Sequence, residues 1–206
     1  MPQLPLRYFS AIAQVIVVLL CALAMPAAQA HAGHHAHEHQ AMKASGGGFA
    51  LMSVTGPVAL DDFRGKVVAI YFGYTHCEDA CPLDLGRLGR ALKSMKPEEV
   101  AQIQPIFITV DPARDDAKGL AVYSETFHPK LIGLTGSEAE IAAVAKAYGV
   151  NYEKGPLNSA RGYDIEHPSD IFLVGRSGEL LRSLPQGTSP ERLAAALRKA
   201  LKAMKQ

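Results

Sequence analysis

Two thiols four residues apart, Cys77 and Cys81, stand in the segment Tyr71-Phe-Gly-Tyr-Thr-His-Cys-Glu-Asp-Ala-Cys-Pro82. Residues so spaced across one tight turn bring their Cα atoms to about 6 Å, within the range of a disulfide. The pair can serve as a structural bridge, a redox couple or a two-sulfur grip on a soft ion, and thiolates favour copper(I). Zinc ordinarily takes four ligands, more than these cysteines supply. A bridge over so small a loop gains little stability. Pro82 is tolerated only in the first turn of a helix, so the helix opens beside Cys81 and Cys77 lies on the turn that enters it. Unpaired N–H groups and the positive end of the helix dipole lower thiol pKa values there, which makes the pair reactive. His76 is an electrostatic neighbour whose ring points elsewhere, and His128, ahead of Pro129, carries no partner signal.

A second cluster is His31, His34, His35, His37 and His39, five imidazoles in nine residues. Its composition suits copper(II), nickel or zinc, or simply a solvated arm with incidental metal affinity. Before it, Arg7 leads into an apolar run over 11–25 that Pro26 breaks, and Ala28-Gln29-Ala30 supplies small residues for cleavage. That is the layout of a secretory signal. The run is short for a membrane span of about 20 residues, so removal is favoured over retention as an anchor. Cys21 falls inside the run and is discarded with it. Residues 1–30 are therefore read as a signal peptide, 31–48 as a His-rich tail with Gly46-Gly-Gly48 as a flexible joint, and 49–206 as the folded domain. An exported chain meets an oxidising compartment, where disulfides persist.

With 21 Lys+Arg against 20 Asp+Glu, the chain offers no broad basic surface for phosphate backbones, and nucleic-acid binding is set aside. Within the domain, 67–72 and 103–110 read as strands buried on both faces. Leu85, Leu88, Leu92 and Met95 recur at helical spacing, and a helix over 120–127 follows the start signal Asp115-Asp116. A short strand over 131–134 precedes a capping box, Ser137 with Glu140, and Gly149 stops the helix it opens. The runs 170–174 and 179–183 flank Gly175-Arg-Ser-Gly178 as a hairpin. Ser189 and Pro190 open a last helix with the stripe Leu193, Leu197, Leu201 and Met204. This order indicates a three-layer α/β domain with a mixed sheet.

Three blocks in order now make the chain resemble a known family, the Sco/SenC proteins, thioredoxin-like copper-handling factors of respiratory oxidase assembly. They are Gly73-Tyr-Thr-His-Cys77-x-Asp79-x-Cys81-Pro82, Phe107-Ile-Thr-Val-Asp111-Pro-Ala-Arg114-Asp115, and Tyr163-Asp-Ile-Glu-His167 before an apolar strand. The resemblance runs from about Val58 to Lys202. It implies a thioredoxin-like three-layer α/β/α fold with a mixed central sheet and an N-terminal extension. It also implies that Cys77, Cys81 and His167 bind copper, His167 completing a trigonal site of two sulfurs and one nitrogen. Two positions depart from the family. Glu78 replaces its usual proline and adds a negative charge, which should raise the thiol pKa. Pro168 follows His167, and because thioredoxin-like folds commonly carry a cis-proline at the loop facing the cysteines, the His167–Pro168 bond is expected to be cis. Asp111, Arg114 and Asp115 are read as a capping and ion-pair network outside the site.

The function so implied is that of an exported, periplasmic copper chaperone rather than a turnover enzyme, delivering copper(I) to the binuclear copper centre of cytochrome c oxidase. Its partners would be the copper-centre subunit of the oxidase, periplasmic thiol reductants and other copper carriers, with membrane contact only if the N-terminal segment is retained. The alternative is a thiol-disulfide oxidoreductase in which Cys77 attacks and Cys81 resolves, with no need of His167 as a ligand.

Overall fold

The computed structural model describes residues 45–157 and 162–203. The signal-like segment, the His tract and Cys21 lie outside the described residues. Among the described residues no helix is long and apolar enough to cross a membrane.

The central sheet has five strands in the order β5-β4-β3-β8-β9. Strand β3 (Val67–Gly73) runs parallel to β4 (Ile103–Thr109), which runs parallel to β5 (Ile132–Leu134). On its other side β3 pairs antiparallel with β8 (Ile171–Val174), and β8 with β9 (Leu180–Leu184). Every residue of β3 and β4 is buried, which is why β3 reads as an unbroken apolar run rather than an alternating one, while β4 is apolar apart from the buried Gln104 and Thr109. Side chains leave β3 on alternate faces. Tyr71 meets Phe107, which in turn meets Tyr123, while Phe72 meets Phe172 and Tyr148. Both faces of the sheet are thereby lined with aromatic packing, as a three-layer domain requires.

Helix α1 (Ala80–Lys93) buries Leu85, Leu88 and Leu92, worth roughly 1.5–3 kcal/mol each on leaving water. It packs against the last helix, α5 (Pro190–Lys202), whose Ser189 cap accepts the Arg192 N–H. Between them in sequence come α2 (Pro97–Ala101), α3 (Ala117–Glu125, capped by Asp116) and α4 (Glu138–Ala147). The Ser137/Glu140 capping box is formed, and Gly149 takes φ +69° after α4.

Two small hairpins escaped the sequence reading. The first pairs β1 (Ala50–Ser53) with β2 (Gly56–Ala59), and its Met52 bridges Thr135 beyond the β5 edge. The second pairs β6 (Glu153–Lys154) with β7 (Ile165–Glu166). Two-residue strands carry no periodicity to read. The expected flexible joint also differs, because Gly46 donates its N–H to Ala147 O at 3.1 Å and Gly47 O accepts from Tyr148 Oη at 3.2 Å. His128 likewise has a partner, its Nδ1 accepting the Lys130 N–H at 3.2 Å, and it is buried as part of a turn.

Helix and loop approach closely at Gly89 of α1, where a methyl group would sit 2.5 Å from the carbonyl oxygen of Phe127. Alanine favours a helix over glycine by about 1 kcal/mol, but overpacking against a backbone oxygen costs about 1–3 kcal/mol. Gly89→Ala is therefore expected to lower the stability of the metal-free protein by up to about 2 kcal/mol in urea unfolding. A gain in stability would show that the turn at Phe127 yields freely.

Candidate metal centre

The two cysteines sit where β3 gives way to α1. Asp79 occupies the N-cap position but forms no side-chain cap. The sulfur of Cys77 takes that part instead, accepting the N–H of Cys81 at 3.4 Å. Pro82 carries no N–H of its own, so the first turn leaves fewer donors to satisfy. Neither cysteine is in a disulfide; Cys81 is fully buried and Cys77 partly exposed.

Glycine at position 73 makes the burial of Cys81 possible. A methyl group there would stand 2.9 Å from Cys81 Sγ and 3.0 Å from the rings of Phe107 and Tyr71. The turn is then tied down by Asp115, whose buried carboxylate accepts the Thr75 N–H at 3.0 Å, the Thr75 hydroxyl, and the Thr109 hydroxyl at 2.7 Å. His76 turns to this carboxylate, 3.6 Å away, and to Thr75, half exposed and away from the sulfurs.

His167 comes to the same place from 86 residues beyond Cys81, with its Nε2 3.8 Å from Cys81 Sγ. Its Nδ1–H donates to the Pro168 carbonyl at 3.0 Å, which leaves the Nε2 lone pair facing the sulfur. The ring meets Tyr74 edge-on at 6.0 Å, and Tyr74 Oη accepts the Ile165 N–H of β7. The His167–Pro168 bond is trans, contrary to expectation. A residue before proline is driven to extended backbone, and from the end of β7 at Glu166 the His167 ring reaches the cysteine turn without a cis bond.

The local electrostatics separate the two thiols. A hydrogen bond from Cys81 holds the Cys77 thiol down to about 5, against the opposing effect of burial and helped by the N–H groups of Cys81 and Asp79 and the nearby His167. The same bond to Cys77, together with burial, pushes Cys81 far up. Burial lowers the His167 pKa, only partly offset by its bond to Pro168 and by Cys77, so the imidazole is neutral at pH 7. The upward effect expected of Glu78 does not govern Cys77.

Of the residues singled out from sequence, Cys77, Cys81 and His167 are thus neighbours. Among the described residues no three His, Cys, Asp or Glu side chains already form a metal cage, and the Cys77 sulfur is engaged as a helix cap. The supporting roles of Tyr74, Thr75 and Asp115 were missed, although Tyr74 and Thr75 stand in the block Gly73-Tyr-Thr-His-Cys77 and Asp115 in the run from Phe107.

A mixed five-stranded sheet with a dithiol at a helix start, faced by a remote histidine, defines a thioredoxin-like protein. The SCO1/SenC family model matches residues 37–202, and the chain belongs to that family. It is 37% identical over 155 residues to the mouse protein SCO2 homolog, mitochondrial, and 36% identical over 154 residues to the human protein SCO1 homolog, mitochondrial. Each match covers 74% of this chain but only 61% and 51% of those relatives. Among solved structures it is similar to Bradyrhizobium japonicum ScoI with copper bound, at 36% identity and a TM-score of 0.69 over 76% of this chain and 99% of that one. Yeast Sco1 with copper bound gives 31% identity and a TM-score of 0.70 over 77% and 88%.

An acid is charged above its pKa, so Cys77 is a thiolate from about pH 6 upward while Cys81 keeps its proton. Alkylation of Cys77 in the reduced, metal-free protein is expected to rise through a midpoint near 5 and to be flat between pH 7 and 8. A profile still climbing toward the ordinary cysteine value of about 8.5 would mean that the bond from Cys81 is not made.

Proposed function

We propose that this protein is an exported copper chaperone that carries copper(I) on Cys77, Cys81 and His167 and passes it to the binuclear copper centre of cytochrome c oxidase. The observation that carries the reading is the placement of the neutral His167 Nε2 3.8 Å from Cys81 Sγ. A sulfur and a nitrogen bound to one first-row ion at about 2.3 and 2.0 Å, with a trigonal angle of about 120°, stand about 3.7 Å apart. The spacing therefore suits one small ion between the two atoms. The copper-bound relatives support the choice of cargo, since two thiolates and an imidazole form a soft set that favours copper(I). Export rests on residues 1–30.

Loading follows from the thiol asymmetry. Cys77 is already a thiolate at pH 7 and offers the first sulfur. Cys81 must lose its proton as the ion arrives, so loading releases a proton and requires the reduced pair. His167 needs no proton change. Delivery would run by ligand exchange, an acceptor thiolate entering at the exposed side of Cys77 and displacing one donor at a time.

A second reading, a thiol-disulfide oxidoreductase that prepares acceptor cysteines, is favoured by the same pair: Cys77 is accessible and ionised, and Cys81 is buried as a resolving thiol. In that reaction the Cys77 thiolate attacks an acceptor disulfide, Cys81 then attacks Cys77, and the protein ends oxidised. His167→Ala separates the two. Copper(I) binding, measured by competition with a chromophoric chelator, is expected to weaken at least tenfold while the rate of disulfide exchange is kept. Cys77→Ser and Cys81→Ser should each abolish both. Unchanged copper(I) affinity in His167→Ala would transfer the function to the reductase.

A further inference from the structure

His167 lies outside the central sheet, in the loop between β7 and β8, which begins at Ile171. Among the described residues β7 pairs with the equally short β6, and neither joins the five-stranded sheet. Side chains around this loop converge on Arg114. The Arg114 guanidinium lies over the Tyr163 ring at 3.8 Å from its centroid, and 5.7 Å from that of Tyr74. Tyr163 stands four residues before His167, and Tyr74 three before Cys77. Below them the buried Asp111 carboxylate accepts both Arg114 Nε–H and, at 2.7 Å, the Tyr163 hydroxyl. One planar cation is thus wedged between the histidine-bearing segment and the cysteine-bearing turn.

We propose that Arg114 and Tyr163 are positioning residues that set the reach of His167 to Cys81. This rests on the reading of His167 as a ligand. Two details argue that the planar shape of the guanidinium is what is used. Its Nη1 and Nη2 are buried with no hydrogen-bond partner among the described residues, so its terminal fork is not what anchors it. Gly162, at φ +85°, lets the chain pass directly over it, since a methyl group there would come within 3.3 Å of Nη1. A guanidinium stacks on aromatic faces in a way that an ammonium does not. The dithiol is held in addition by its own helix turn and by Asp115, so loosening the wedge acts chiefly on the histidine. Partners outside the ligand set typically change metal affinity by about 10–100-fold.

Tyr163→Phe keeps the ring and removes the bond to Asp111; Arg114→Lys keeps the charge and removes the planar stack. Each is made in the parent and in His167→Ala, and copper(I) affinity of the reduced protein is measured by chelator competition. In the metal-free protein, modification of His167 by diethyl pyrocarbonate is followed by peptide mass spectrometry, with the alkylation profile of Cys77 as control. Both substitutions are expected to weaken copper(I) binding about 10–100-fold in the parent, with little further loss in His167→Ala. They should speed modification of His167 several-fold and leave the rate of Cys77 alkylation on its plateau between pH 7 and 8 unchanged. Equal losses in both backgrounds, an unchanged rate at His167, or a changed plateau rate of Cys77 alkylation would each overturn the proposal. If His167→Ala by itself leaves copper(I) affinity intact, the ligand reading falls, and the modification rate still decides whether the wedge positions the ring.

Discussion

A buried sulfur at the first turn of a helix is costly unless something stabilises its charge when it ionises, and much of this domain's local design follows from placing Cys81 there. Gly73 is bare so that the sulfur can lie against the end of β3. The rings of Tyr71 and Phe107 close around it. Asp115 holds Thr75, and with it the turn that carries the other thiol. The hydrogen bond to Cys77, together with burial, raises the Cys81 pKa and thereby reserves its proton until a cation or a mixed disulfide at Cys77 draws on the sulfur.

Cys77 is the complement of that arrangement. Its sulfur does the work of an N-cap, receiving the Cys81 amide in a position where most helices place a Ser, Thr, Asp or Asn oxygen. The negative charge is stabilised by the hydrogen-bonded thiol and the open helix end, so the exposed member of the pair is ionised and the buried one is not. One thiol is thus ready to meet a partner and the other completes the reaction, whether the product is a metal complex or a disulfide. In the proposed copper site the neutral His167 would add a third donor without adding charge, which suits a monovalent ion facing two sulfurs.

Much of this was legible before any coordinates. The runs at β3 and β4, the capping residues Asp116, Ser137 and Ser189, and the stop at Gly149 depend on neighbours within a few positions, and each appears in the fold where its local chemistry puts it. Pro82 in the same way located the helix start. The hairpins of β1–β2 and β6–β7 were not legible, because their short strands hold neither a continuous apolar run like that of β8 nor enough alternations to rise above a loop. The trans bond at Pro168 was misjudged for a related reason: the isomer depends on what the following loop must reach, not on the dipeptide. Asp111, Arg114 and Asp115 looked like a local cap, and their bonds to Tyr163 and Thr75 span 52 and 40 residues.

What the amino-acid order settles on its own is the reactive turn: two cysteines, a proline and a helix beginning between them are contacts of short range, dictated by backbone geometry and by unpaired amide groups. Tertiary structure alone decided which histidine faces that turn, with which nitrogen, and how far away. That choice is made by packing among Tyr74, Arg114 and Tyr163, residues distant along the chain whose mutual distances exist only once the sheet has brought the ends of β3 and β4 side by side.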